Sequence, residues 1–99
     1  MKRWELYKGD EKIADINMSG VDQPWFIGEL SALGSFEQYR PLFVRLNQFI
    51  KKGEFSSKDS EVAAEEIAVL GLSLKDVAEN KVYSEMMINI DGDDVWWRV

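Results

Sequence analysis

Apolar and polar residues alternate in Trp4-Glu5-Leu6-Tyr7 and again in Ile13-Ala14-Asp15-Ile16-Asn17-Met18, the period of a β-strand, and Lys8-Gly9-Asp10-Glu11 between them carries turn residues. The pattern predicts a hairpin. Ser19-Gly20 and Asp22-Gln23-Pro24 interrupt it, after which Trp25 to Leu30, rich in aromatic and β-branched residues, predicts a third strand of a meander. Gly28 inside that strand either weakens it or marks close packing.

From Ser35 the period changes. Phe36, Tyr39, Leu42, Phe43, Leu46, Phe49 and Ile50 recur every three or four residues and share one face of a helix. Ser35 and Gln38 have capping-box spacing. Pro41 cannot sit inside a helix, because it lacks the N–H donor and clashes with the preceding turn, so the spacing predicts a short turn over 36–39 and a helix from Pro41 to Gly53. The polar loop Ser56-Ser57-Lys58-Asp59-Ser60 offers several N-caps, and Val62, Ala63, Ile67 and Leu70 continue at helical spacing toward Gly71, which predicts a second helix over residues 60–70.

Leu72-Ser73-Leu74 reads as a short extended piece and Lys75 to Asn80 as a loop. Val82 to Ile90, Asp91-Gly92, and Asp93 to Val99 then form a hairpin pattern around the dipeptide preferred in type I′ turns. That turn sets Ile90 opposite Asp93, Asn89 opposite Asp94, Ile88 opposite Val95, Met87 opposite Trp96, Met86 opposite Trp97, and Glu85 opposite Arg98 as a charge pair. The whole predicts one α+β domain over residues 1–99: a five-stranded, mainly antiparallel sheet, in the order β-β-β-α-α-β-β, with two helices packed on one face.

Composition narrows the chemistry. The 99 residues include no cysteine and no histidine, which removes disulfides, thiolate metal sites, Cys nucleophiles and the Ser-His and Cys-His dyads. No cofactor and no metal site is expected. The net charge is −6, and its location matters: residues 1–60 balance nine acids against nine bases, whereas 61–99 hold nine acids against Lys75, Lys81 and Arg98. Such a surface repels phosphate backbones, so nucleic acid is disfavoured and a basic protein or simple solubility accounts for it. No apolar run has the length of a membrane span and no signal-peptide pattern opens the chain, so a cytoplasmic location with no membrane partner is expected.

Asp91-Gly92-Asp93-Asp94 could be read as a hard-cation site, but it lacks EF-hand spacing and fits turn chemistry better. Glu29, Glu37, Glu65, Glu66, Glu85 and Asp94 are the carboxylates from which an acid/base pair would be drawn, and nothing in their spacing sets two of them across a cleft. The tryptophans say more. If Trp4, Leu6, Ala14, Ile16, Met18, Phe26, Leu30 and Trp97 face the helices, alternation turns Tyr7, Ile13, Trp25, Ile27, Met87 and Trp96 outward, a set too apolar for water alone. The leading expectation is therefore a non-catalytic interaction module, a homodimer or a binder of another protein, using that face. The second is a small-ligand pocket between sheet and helices lined by Trp97, Phe43 and Tyr39, and the third a carboxylate hydrolase.

The run Met87-Ile88-Asn89-Ile90-Asp91-Gly92-Asp93-Asp94-Val95-Trp96-Trp97-Arg98 resembles the ending of a family of small bacterial proteins of about 100 residues with no established activity. Trp4-Glu5-Leu6, Asp22-Gln23-Pro24-Trp25 and Phe36 to Phe43 with its internal proline extend the resemblance over nearly the whole chain. It implies a bacterial, cytoplasmic domain and carries over no functional residue. Asn89 stands where that family usually has a histidine in the penultimate strand, which weakens any case for shared catalysis.

Overall fold

A computed structural model describes residues 2–54 and 57–99. The two predicted strands of the first hairpin are β1 (Lys2–Lys8) and β2 (Glu11–Asp22), joined by Gly9-Asp10 with Gly9 at φ +60°. β3 (Trp25–Ala32) completes the meander. A 3-10 turn at Gly34–Phe36 leads into helix α1 (Arg40–Lys51), which begins beside Pro41 as expected. The Ser35 and Gln38 side chains do not form a capping box, since Gln38 Nε2 donates to the Ser35 carbonyl instead.

Helix α2 (Lys58–Ala68) starts earlier than predicted, because Ser57 is the cap and its hydroxyl accepts from the Ser60 N–H at 3.2 Å. Ser56, the other serine that opens the predicted loop, lies outside the described residues. No helix among the described residues is long and apolar enough to cross a membrane.

The five-stranded expectation is corrected beyond α2. Leu72–Asp76 is a true strand, β4, paired with β1, and the expected strand Val82 to Ile90 is two: β5 (Lys81–Tyr83) on β4, and β6 (Met87–Asp91) on β7 (Asp94–Arg98). The result is a seven-stranded antiparallel sheet in the order β5-β4-β1-β2-β3-β7-β6, curved into a half-barrel.

Its curvature follows from chain connectivity. β5 and β6 occupy opposite edges, yet only Ser84, Glu85 and Met86 separate them in sequence. Four Cα steps span about 15 Å at most, whereas seven flat strands would hold their edges about 29 Å apart. The sheet must curl to bring its edges together. Two bulges on β2 help it bend: Leu6 faces Ala14 and Tyr7 faces Lys12, leaving Ile13 extra, and Met18 faces Gly28 and Gly20 faces Ile27, leaving Ser19 extra.

The concave interior is filled by side chains. Trp4 meets Trp97 edge-on at 5.3 Å between ring centroids, and Phe26 and Tyr83 each lie 5.8 Å from Trp4. Leu6, Ile16, Leu30, Leu74, Ile90 and Val95 close around them, with Phe36 and Phe43 stacked beneath.

The C-terminal hairpin keeps its predicted faces but not its register. Gly92 and Asp93, rather than Asp91 and Gly92, are the loop residues, with Gly92 at φ +64°, so Ile90 faces Val95, Asn89 faces Trp96 and Met87 faces Arg98. Glycine in the first loop position suits the type II′ turn. The Arg40 guanidinium pins this arrangement by donating to the Gly92 carbonyl at 2.9 Å. A shift of two residues preserves alternation, so Ile88, Ile90, Val95 and Trp97 remain on one face.

Candidate functional site

Four of the six residues expected on an outward face gather on neighbouring strands. Ile27 on β3 is paired with Trp96 on β7, and Trp96 in turn with Asn89 on β6. Trp25 lies two residues before Ile27 and Met87 two before Asn89, so alternation puts all of them on the same side of the sheet. Ile27 and Met87 are 38% and 58% exposed.

The other two are elsewhere. Ile13 is completely buried, because it is the extra residue of the first β2 bulge and the strand alternation breaks there. Tyr7 is on the outer face of β1, but in a polar setting: its hydroxyl donates to Glu5 Oε1 at 3.0 Å, while Arg3 and Lys12 reach Glu5 Oε2 at 3.1 and 3.5 Å. Burial raises the Glu5 pKa, but these three partners together outweigh it and hold the carboxyl below its ordinary value of 4.5.

Because the folded-state value is the lower one, the stability Glu5 contributes is complete above the ordinary value and is lost as pH falls through the folded one. Glu5→Gln is expected to cost about 1.5–3 kcal/mol at neutral pH, the range for hydrogen bonds to a charged group. It should also flatten the acid limb of stability against pH, and an unchanged limb in denaturant titrations would refute this account of Glu5.

The outer aromatic face opens into a cleft. Trp25, Met87 and Trp96 form one wall, Leu46 and Ile50 of α1 and Ile67 of α2 the other, around a volume of about 670 Å³. Ser84, Glu85 and Met86, the segment joining the two sheet edges, cross its mouth, and Leu72 at the start of β4 contributes from the far side. The cleft therefore lies at the seam where the half-barrel does not close. Trp97 and Phe43, named above as pocket residues, are 0% and 1% exposed and belong to the packed interior, and neither they nor Tyr39 line the cleft.

One wall is held by a buried amide pair. β6 is an edge strand, and α1 covers it: Asn47 Nδ2 donates to the Ile90 carbonyl at 2.8 Å and to Asn89 Oδ1 at 3.1 Å, while Asn89 Nδ2 donates back to Asn47 Oδ1 at 2.8 Å. The Ile90 N–H donates to Asn89 Oδ1 at 2.8 Å. Both free backbone groups of Ile90 are thus satisfied by side chains, which blocks pairing with another strand there. Asn47 carries no sequence signal beyond being polar within an apolar stripe, and that mismatch is what could have marked it.

The carboxylates proposed for acid/base work are scattered. Glu37 is bound by Arg40 at 2.7 Å and Glu66 by Arg45 at 3.0 Å, while Glu29 on β3 is opposite Asp94 on β7, away from the cleft lining. Only Glu85 lines the cleft. Asp91 bonds Lys51 at 3.3 Å, and among the described residues no three acidic side chains are grouped to hold a metal ion. The expected Glu85–Arg98 pair does not form, because the register shift gives Arg98 to Met87 and leaves Glu85 in the crossing segment. No protein-family model, curated protein or solved structure matches the chain.

Proposed function

We propose that this domain is a non-catalytic recognition module that takes an apolar guest into the cleft at the barrel seam. The observation that carries this reading is the meeting of Trp25, Met87 and Trp96 from three strands with Leu46, Ile50 and Ile67 from both helices around about 670 Å³. That volume lies in the range of small-ligand sites, which are mostly apolar with a few polar groups. Acid/base hydrolysis needs two carboxylates about the reacting bond, and among the described residues the cleft offers one.

Titration with the neutral dye Nile red tests the proposal. Saturable binding is expected, with Trp96→Ala weakening it about tenfold, equivalent to about 1.4 kcal/mol. Ala68→Trp, which fills the cleft from an exposed helix position, should abolish it. Dye binding indifferent to both substitutions would rule the cleft out as the recognition site.

A second reading, self-association through the same face, is favoured by the exposure of Ile27 and Met87 beside the cleft. Sedimentation at tens of micromolar separates the two: a dimer dispersed by Met87→Lys supports self-association, and a monomer throughout removes it.

A further inference from the structure

We infer that the guest of the cleft is a small cationic amphiphile, an apolar body carrying an ammonium head, a conclusion that rests on the cleft being the recognition site. Among the described residues lining the cleft, Glu85 is the only carboxylate, and none is a cation. Glu85 is exposed on the segment that crosses the mouth, and its side chain has neither an ion pair nor a hydrogen bond among the described residues. Lys51 is held by Asp91 and Arg45 by Glu66, and Arg98, opposite Met87 on β7, does not line the cleft.

The apolar walls end in half-buried indoles, Trp25 and Trp96, and an indole face is the strongest neutral attractor for an ammonium group. A carboxylate, two indoles and the thioethers of Met86 and Met87 form a mouth that welcomes positive charge and an interior that welcomes hydrocarbon. An anionic head would meet Glu85 with no cation among the described lining residues to compensate. The net charge of −6 adds a long-range field of the same sign.

The test compares three probes of equal chain length below their micellar concentrations: dodecyltrimethylammonium, dodecanol and dodecanoate, each titrated calorimetrically into the intact chain. The cation is expected to bind about five- to tenfold tighter than dodecanol, from one carboxylate and a cation–π contact at a partly exposed site, and dodecanoate weakest. Glu85→Gln should erase most of that preference, whereas Glu11→Gln, with the same net charge but a position on the first hairpin, should leave it intact. Equal binding of cation and alcohol, or a preference lost equally in both variants, overturns the ammonium assignment while leaving the apolar cleft standing. Absence of saturable binding by all three probes removes the cleft reading as well.

Discussion

Asn47→Leu is expected to lower folding stability by about 3–5 kcal/mol. The side chain donates to the Phe43 and Ile90 carbonyls and exchanges hydrogen bonds with Asn89. Leucine leaves the Asn89 amide and the Ile90 carbonyl buried without it, and each such orphan costs about 1–3 kcal/mol. The double variant Asn47→Leu/Asn89→Leu should not recover the loss, because Asn89 Oδ1 also accepts from the Ile90 N–H and its removal strands both backbone groups of Ile90. Urea unfolding of both variants measures this directly. A single-variant loss below about 1 kcal/mol would mean that the amide pair contributes no more than an ordinary hydrogen bond.

Gly28→Ala comes next, at about 2–3 kcal/mol. A Cβ built on Gly28 would lie 2.5 Å from the Asn17 carbonyl oxygen and 3.2 Å from an Ile16 methyl, and the nearer atom is backbone in the paired strand, which cannot swing aside. Strand separation or a local shift in β2 is the only relief. Gly20 is the internal control: nothing lies within 4 Å of its would-be Cβ and its φ is not positive, so Gly20→Ala should be neutral or slightly stabilising. If the two alanine variants melt at the same temperature, close approach is not the reason glycine occupies position 28.

Features governed by neighbours in sequence were legible. The first hairpin, the helix beginning beside Pro41 and the inward set Trp4, Leu6, Ala14, Ile16, Leu30 and Trp97 follow from local turn chemistry and alternation. What escaped depends on distant partners. Leu72-Ser73-Leu74 reads as a short extended piece and Lys75 and Asp76 as loop, and Leu72–Asp76 becomes a strand because β1 offers it an edge. The division of Val82 to Ile90 into β5 and β6 has only the polar pair Ser84-Glu85 as a local mark, and it is made by the passage of that segment between the two sheet edges.

The same distinction holds at the cleft. Strand parity puts Trp25, Ile27, Met87 and Trp96 on one face, but the helices expected on the opposite face wall the cleft beside three of them. Ile13 was misplaced because a bulge breaks that parity without a mark in the residues themselves. Leu46, Ile50 and Ile67 were legible as an apolar helix face, but not as the wall opposite the tryptophans, since that depends on where the seam of the barrel falls.

The place of β1 between β2 and β4 has a kinetic consequence. Its first partner follows after two residues, but its second, Leu72–Asp76, comes only after both helices. During synthesis or refolding the Trp4–Lys8 edge stays open until nearly three quarters of the chain is available, and closing it means forming one of the longest loops in the molecule. Such non-local pairing slows folding and leaves an unpaired strand edge in the partly made chain. Because the crossing segment and β6 come later still, the cleft is assembled last, so its affinity for a guest reports on the completed fold and not on any fragment of it.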